Sequence, residues 1–308
     1  MKTFLGIEIG GSKLQLFVGG ASAKILERCR LTVDPTRGGD GIRAQIAENL
    51  PLLLKKSDVA AIAVGFGGPV DRRTGRIARS HQIEGWSDFD LQGWLRELSG
   101  KPVLIDNDAN MGALGEALHG AGKGFDPVFY VTLGSGVGGG LAVNGEIYHG
   151  AAPGESEIGH LRLDREGTIV EERCSGWAVD HKIRELKKSG RPSVLADLVG
   201  EVKSGEARFL AKALEAKDRE AERILRETTD DLAFALSHVT HLFHPEVIVL
   251  GGGLSLLGEP LLAAVSEALP RYLMKVFGQG PAVRLANLGE DSVPVGCLAA
   301  AAKSHARD

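Results

Sequence analysis

VFYVTLGSGVGGGLAVNGEIYHGAAPGESEIGH, residues 128–160, is the stretch that best indicates how this chain folds. A β-rich run, Val128–Leu133, breaks into the glycine-rich segment 134–140 and resumes as a short strand at Leu141–Val143. Glycine at the positions where the backbone must turn predicts a hairpin. Because a glycine-rich loop leaves its backbone N–H groups unobstructed, the loop can surround an anion such as a phosphate.

The same stretch ends in a polar cluster, Glu155, Glu157 and His160, that a hydrophobic core does not need. The sequence therefore predicts a phosphate loop that is joined directly to a substrate-binding loop.

A second strand–glycine turn–strand pattern lies at the start of the chain. Thr3–Ile9 reads as a buried strand that carries Glu8, the segment 10–13 as a tight turn, and Leu14–Val18 as the returning strand. Such a tip can hold phosphate, although an ordinary hairpin at a sheet edge has the same pattern. The repetition near residues 5 and 130 predicts two like-folded halves that face a cleft, with nucleotide between them.

The run Asp106-Asn107-Asp108-Ala109-Asn110 follows a predicted strand, Pro102–Ile105, and precedes a predicted helix. Asp106 or Asp108 could simply be the helix N-cap, which contributes about 1 kcal/mol. Alternatively, one carboxylate is a general base that points into a cleft. One aspartate is enough for a cap, so the run favours the functional interpretation.

Two further predicted strands end in glycine turns. Val59–Gly65 leads into the segment 66–71, which contains Gly68, and Val247–Leu250 leads into Gly251–Gly253. In open α/β sheets, ligands bind at the carboxyl ends of the strands, so both turns are candidate ligand loops.

The composition fits a soluble globular protein of up to two domains, since 43% of the 308 residues are hydrophobic and 25% are charged. Gly 42 is about twice the usual share, which indicates many turns and ligand loops. A formal charge of -4 argues against nucleic-acid and anionic-membrane partners. Three scattered cysteines, with no signal peptide or membrane-spanning run, predict a cytoplasmic protein.

Over nearly its whole length the chain resembles the ROK family of bacterial sugar kinases, repressors and related proteins. Five motifs carry the resemblance, in the order of the chain: residues 6–13, 107–110, 133–140, 157–160 and 249–253. The resemblance implies a duplicated actin-like, ribonuclease H-like ATPase fold of the α/β class. We expect a smaller domain of residues 1–115 plus 292–308 and a larger domain of residues 116–291, around a central cleft.

The resemblance also implies roles for individual residues. Asp108 is expected to be the general base that removes a proton from a sugar hydroxyl. The other expected sugar-binding residues are Gly68, Asn107, Glu157, His160 and Glu171. The expected nucleotide-binding residues are Glu8, Gly10, Gly11, Ser12, Lys13, Gly134, Ser135, Gly136, Gly138, Gly251, Gly252 and Gly253. Positioning and charge neutralisation by the glycine loops, Lys13 and Mg²⁺ are what phosphoryl transfer from ATP requires.

Two departures from the family pattern matter. The segment Leu163–Glu171 lacks the cysteines of the family's zinc motif, and Cys174 alone cannot build a tetrahedral thiolate site, so we expect no structural zinc. Glu8 stands where the family usually has aspartate, and its extra methylene moves the carboxylate.

These features predict an ATP-dependent hexose kinase of the glucokinase type, acting on the 6-hydroxyl by family analogy. A catalytically weak sugar- or nucleotide-sensing protein and an N-acetylhexosamine kinase are the alternatives. The expected partners are a sugar and ATP, and the resemblance favours a homodimer.

Overall fold

A computed structural model describes residues 2–11, 13–78, 84–151 and 156–307 of the chain. The chain forms two compact units. Unit 1 contains residues 1–124, 140–156 and 287–308, and unit 2 contains residues 125–139 and 157–286. The predicted domain boundaries assign residues 140–156 to the second domain instead, and they stay a prediction.

The chain alternates strands and helices. The strands are β1 (Thr3–Ile9), β2 (Lys13–Gly20), β3 (Ile25–Thr32), β4 (Val59–Phe66), β5 (Val70–Asp71), β6 (Arg76–Ile77), β7 (Val103–Asn107), β8 (Val128–Leu133), β9 (Val137–Val143), β10 (Glu146–Ile147), β11 (Val247–Gly251) and β12 (Ala282–Leu285). The α-helices are α1 (Gly38–Lys56), α2 (Leu91–Ser99), α3 (Asp108–His119), α4 (Val170–Cys174), α5 (Gly176–Lys188), α6 (Val194–Val199), α7 (Leu210–Glu215), α8 (Arg219–Phe243), α9 (Glu259–Ala268) and α10 (Ser292–Arg307). Short 3₁₀ turns connect several of them.

The sheet of unit 1 has the strand order β3-β2-β1-β4-β7. β1 pairs antiparallel with β2 and parallel with β4, and β4 pairs parallel with β7. The register aligns Gln15, Glu8, Gly65 and Asp106 in one row across four strands. Residues in one row point to the same face, so this row places three buried polar side chains, Gln15, Glu8 and Asp106, on one face of the sheet.

The second sheet has the order β10-β9-β8-β11-β12. Position by position, this order repeats that of the first sheet: when the strands of each sheet are counted in chain order, both sheets run third, second, first, fourth and fifth. In both sheets the first strand pairs parallel with the fourth and the fourth with the fifth. The internal repeat predicted from the sequence is therefore present as a repeated strand order.

The structure corrects one predicted loop. The glycine-rich turn contains only Gly134–Gly136, because β9 begins at Val137 and includes Gly138, Gly139 and Gly140. The Asn144-Gly145 turn joins β9 to β10, with positive φ values of 52° and 67° at the two residues. Two residues of positive φ between paired strands are typical of a type I′ hairpin, for which Asn-Gly is the preferred sequence.

The sheet of unit 1 is buried on both faces. One face packs with α1 and α2 through apolar residues that include Ile7, Ile46 and Leu95. The other face packs with α10 through Phe17, Cys297 and Leu298, among others. A Cβ atom at Gly296 of α10 would overlap the carbonyl oxygen of Met111 in α3, so glycine is required for the close approach of these helices.

Unit 2 is built around the β8–β11 pair and the long helix α8. The side chains of Val247–Leu250 are fully buried, as expected for a central parallel strand. Asp218 caps α8 by accepting from the Ala221 amide, and His244 ends the helix in the left-handed conformation. No helix in the described part of the chain is both long and apolar enough to span a bilayer.

Candidate functional site

Asn107, and neither neighbouring aspartate, caps helix α3. Its side-chain oxygen accepts hydrogen bonds from the backbone N–H groups of Ala109 at 2.8 Å and Asn110 at 3.3 Å. The alternative in which Asp106 or Asp108 is the cap is therefore wrong. Asp108 becomes the first residue of α3, where its half-buried carboxylate also accepts from the Ala109 amide at 2.8 Å. The positive end of the helix dipole favours the carboxylate form in this position, and a general base must be unprotonated before it can accept a proton.

The glycine loop after β4 lies beside this helix start. Asn107 Nδ2 donates to the Gly68 carbonyl oxygen at 3.2 Å, and the Gly67 amide donates to the Ile9 carbonyl oxygen at 2.8 Å. A Cβ atom at Gly67 would lie 3.3 Å from Asp108 Oδ2, so this glycine leaves room next to the carboxylate. Three predicted residues of unit 1, Gly68, Asn107 and Asp108, are thus brought together.

Asp106, which is not among the predicted site residues, supports the segment Asn107–Asn110 through hydrogen bonds. Its buried carboxylate accepts from the Asn107 amide and from Asn110 Nδ2, both at 2.8 Å. The other carboxylate oxygen lies 2.6 Å from His149 Nε2. His149 follows β10, so this contact fixes the start of the following loop to the end of β7. The sequence contains both residues, but nothing in it indicates a pair separated by 43 positions.

The hairpin between β1 and β2 carries the first group of expected phosphate-binding residues. The Gly10 amide donates to the Lys13 carbonyl oxygen at 2.9 Å, which closes the tip around Gly11. Ser12, also predicted to bind the nucleotide, lies outside the described residues. Lys13 Nζ lies 3.0 Å from Glu8 Oε1, so the cation expected to face phosphate is ion-paired to the residue that replaces the family's aspartate.

Glu8 has a second partner in the same row of the sheet. Gln15 Nε2 donates a short hydrogen bond to Glu8 Oε2. Gln15 is 1% exposed, and its amide oxygen has no hydrogen-bond partner in the described part of the chain. The carboxylate of Glu8 is therefore held from β2 by one cation and one buried amide.

In unit 2, the turn Gly134–Gly136 is held from two sides. The Gly176 amide at the start of α5 donates to the Gly134 carbonyl oxygen at 2.7 Å. Glu171 of α4 accepts from the Val137 amide at 2.9 Å, and its carboxylate lies where a Cβ atom on Gly136 would be. Glu171 is therefore adjacent to the Gly134–Gly136 turn. Ser135, at the centre of the turn, is exposed, whereas Gly138 lies within β9.

A 3₁₀ turn in the same unit, Ile158–His160, is preceded by Glu157 and ends at His160. Ile158 is buried, and a Cβ atom on Gly159 would overlap the Val137 carbonyl oxygen, so the turn packs closely on the start of β9. His160 Nδ1 lies 3.9 Å from Glu157 Oε2, and both side chains are exposed. Two polar groups on a well-anchored turn can contact a polyol.

The segment Gly251–Gly253 follows β11. Gly252 has φ of 79°, and a Cβ atom there would lie 2.5–2.7 Å from the backbone of Leu133. Glycine is therefore required at this position both by conformation and by space. The segment meets the strand end at which the Gly134–Gly136 turn begins.

The thiol of Cys174 is poorly suited to metal binding. Its Sγ donates to the Thr228 carbonyl oxygen at 3.5 Å, and burial raises the pKa of this thiol to about 12, which disfavours the thiolate that binds zinc. Within residues 2–11, 13–78, 84–151 and 156–307, no three His, Cys, Asp or Glu side chains are grouped to hold a metal ion. The expected lack of structural zinc stays a prediction, and elemental analysis of the purified protein would test it.

A model of the ROK family matches residues 4–304. The chain belongs to the ROK family. It is 31% identical to a glucokinase of Halalkalibacterium halodurans, with 95% of this chain and 93% of that protein covered. A glucokinase of Thermotoga maritima is 29% identical, with 89% of each chain covered.

A solved structure of a ROK glucokinase from Streptomyces griseus, in complex with glucose and AMPPNP, superimposes with a TM-score of 0.83 at 27% identity. The superposition covers 98% of this chain and 99% of that one. The predicted actin-like ATPase fold is therefore confirmed. The roles of the individual site residues stay predictions.

Proposed function

We propose that this ROK protein is an ATP-dependent hexose kinase of the glucokinase type, which transfers the γ-phosphoryl group of ATP to the 6-hydroxyl of its sugar. The position of Asp108 carries the proposal. Its carboxylate stands at the first residue of α3, next to the Gly67–Gly68 loop, while Asn107 takes the capping role. The likeness to two glucokinases and to a structure holding glucose and AMPPNP supports the same reaction.

In the proposed reaction, the sugar hydroxyl attacks the γ-phosphorus, Asp108 accepts its proton, and the bond from the γ-phosphorus to the bridging oxygen breaks so that ADP leaves. Proton transfer to a positioned side chain contributes roughly 10²–10⁴-fold to such rates. The pair of buried Asp106 and half-buried His149 supports the backbone that leads into Asp108.

The remaining sugar hydroxyls would be bound by Asn107, Glu157, His160 and Glu171, with the Gly68 backbone nearby. Fixed carboxylate, amide and imidazole partners select a polyol, because an analogue that lacks a matching hydroxyl leaves them unpaired. Glu157 and His160 are exposed on an anchored turn, which fits this role.

ATP would bind through the backbone of the two glycine turns. The first comprises Gly10, Gly11 and Ser12 with Lys13; the second comprises Gly134, Ser135 and Gly136, followed by Gly138. Gly251–Gly253 would lie against the adenosine. Mg²⁺, when bound with ATP, neutralises phosphate charge and needs only one or two protein carboxylates, a requirement that Glu8 fits by its chemistry.

The test is an ADP-release assay with ATP and Mg²⁺ against hexoses, N-acetylhexosamines and no sugar. We expect turnover with a hexose and a fall of roughly 10²–10⁴-fold in kcat for Asp108→Asn. Sugar affinity, measured by calorimetry, should be nearly unchanged in this variant. Asp197→Asn, which alters an exposed aspartate of α6, is the control and should retain full activity. Retention of turnover by Asp108→Asn would exclude Asp108 as the base.

One observation favours a second function, that of a sugar- or nucleotide-sensing protein with weak activity. Lys13 is already neutralised by Glu8, which leaves less positive charge for phosphate. Sugar binding without turnover on any sugar of the panel would support the sensor. Turnover confined to an N-acetylated sugar would instead assign an N-acetylhexosamine kinase. The homodimer is a proposal from the family resemblance alone, and sedimentation equilibrium tests it.

A further inference from the structure

Trp177 is a large aromatic side chain that the fold leaves in solvent. It is the second residue of α5 and is 61% exposed, whereas Trp86 is buried and Trp94 packs against a core. Aromatic side chains contribute a large area when their rings are covered, and aromatic rings pair in offset-stacked or edge-to-face arrangements. An exposed indole is common on protein surfaces, so its location must decide whether it has a function.

The location of Trp177 is fixed by its neighbour Gly176. The Gly176 amide donates to the Gly134 carbonyl oxygen at 2.7 Å, and a Cβ atom on Gly176 would lie 2.8 Å from that oxygen. Ser175, which is buried, caps the helix by accepting from the Ala178 amide. Consecutive Cα atoms are about 3.8 Å apart, so the indole is attached one residue from Gly176, which contacts the Gly134–Gly136 turn.

The Gly251–Gly253 segment meets the same strand end. Gly252 packs on the backbone of Leu133, the residue directly before Gly134. The 3₁₀ turn that follows contains Leu256, which is 83% exposed. The strand end at Leu133–Gly134 thus contacts two segments. The start of α5 carries the exposed Trp177, and the segment after β11 is followed by the exposed Leu256.

We infer that Trp177 stacks on the nucleobase of the phosphoryl donor, so that the donor is a nucleoside triphosphate, distinguished from inorganic polyphosphate by its base. The inference rests on the proposed function, because it takes the Gly134–Gly136 turn as the phosphate site. A base on Trp177 covers the exposed ring, and the triphosphate extends from it to the turn. A base can stack on an aromatic ring without any hydrogen bond to its edge, because every base has a flat π-face. One indole can therefore hold the base of the donor.

Intrinsic fluorescence tests the inference directly, because the chain has only three tryptophans. ATP with Mg²⁺ is titrated into the wild type, Trp177→Phe and Trp177→Ala, and inorganic tripolyphosphate is the probe that lacks a base. We expect ATP to quench the emission of the wild type and tripolyphosphate to leave it unchanged. Trp94→Phe, which alters a tryptophan packed against the core of unit 1, should keep the ATP response.

The kinetic arm measures the KM for ATP. Loss of one base–aromatic stack corresponds to a rise of about tenfold in Trp177→Ala, and Trp177→Phe should restore most of the affinity. The inhibition constant of tripolyphosphate should be the same in all variants. An unchanged KM for ATP in Trp177→Ala, or equal quenching by tripolyphosphate, would overturn the inference.

Failure of the proposed function gives a different result. If no sugar is phosphorylated but ATP still quenches the fluorescence of Trp177, the nucleobase site is supported and the kinase activity is excluded. If sugar is phosphorylated and Trp177→Ala binds ATP like the wild type, the kinase stands and this inference is wrong.

Discussion

Glu8 stands where the resemblance to the ROK family leads us to expect aspartate, and β2 supplies its partners. Lys13 and Gln15 both contact the carboxylate, and Gln15 is buried with its amide oxygen unpaired. A buried amide with an unpaired oxygen is costly, so we interpret Gln15 as retained for its bond to Glu8. The longer side chain of glutamate is thus accommodated by a specific donor.

This interpretation predicts the effect of Gln15→Met, which keeps the length of the side chain and removes the donor. Because a hydrogen bond to a charged group is lost, we expect the free energy of unfolding to fall by about 1–2 kcal/mol. Urea denaturation measures the change. Gln45→Met, which removes a hydrogen bond from an exposed side chain to Thr32, should change stability by less than about 0.5 kcal/mol. Equal effects of the two substitutions would contradict the interpretation.

The segment of the candidate base could be predicted from the sequence, but the role of each of its residues could not. Asp106, Asn107 and Asp108 can each cap a helix, and local preference does not choose among them. The choice depends on where β7 ends and on His149, which reaches Asp106 from beyond β10. Contacts of this kind arise only in the folded chain.

At the scale of elements, α3 and α10 approach each other closely. A Cβ atom on Gly296 would overlap the Met111 carbonyl oxygen, and one on Gly115 would overlap that of Ser292. Each overlap involves backbone, which cannot move aside without shifting a helix. The helix that begins with Asp108 is therefore positioned by small residues at its centre.

Gly296→Ala should lower the free energy of unfolding by at least about 2 kcal/mol, because overpacking forces the two helices apart. Turnover should fall as well, since any shift of α3 moves Asp108. Thermal melts and the ADP-release assay measure both effects. Gly20→Ala is the matched control, because a Cβ atom there meets no atom within 4 Å. A Gly296→Ala protein as stable as the control would show that the helices tolerate separation.

The elements found from the sequence are those with a buried, regular pattern. β1, β4, β7 and β11 were predicted because their apolar residues are continuous. The edge strands β3 and β12 were missed, since neither contains a buried residue and β3 is rich in polar residues. Gly138–Gly140 was predicted as loop because glycine carries no side-chain signal, and pairing within the sheet made it a strand.

At the scale of the whole molecule, two buried thiols give the stability a dependence on pH. Burial raises the pKa of Cys174 from its ordinary value of 9.0 to about 12. Burial also raises the pKa of Cys297, and the nearby charges of Glu8, Asp106 and Asp108 raise it further. The folded chain therefore holds these protons more tightly than the unfolded chain does.

The sign of the effect follows from this difference. The contribution of the buried Cys174 thiol to the free energy of unfolding is complete below pH 9.0. It is lost as the pH rises toward about 12, because only the unfolded chain releases the thiol proton in that window. We expect the melting temperature to fall between pH 8 and pH 10.5. The fall in melting temperature should be smaller in Cys174→Ala than in the wild type. In Cys29→Ala, whose thiol is half-buried, it should be as large as in the wild type. An equal fall in all three proteins would assign the effect to other groups.

Unit 1 is completed by a segment far along the chain. Glu116, fully buried in α3, accepts hydrogen bonds from the amides of Asn287 and Leu288 and from the Ser292 hydroxyl. Residues 287–308 of unit 1 are translated after all of unit 2, whose last residue is 286. The usual order, in which the N-terminal part folds first during synthesis, is therefore reversed for the half that holds the candidate base. A nascent chain that has finished unit 2 still exposes the acceptors of Glu116 and the groove left open by α10, so chaperone contacts during translation should concentrate on residues 1–124.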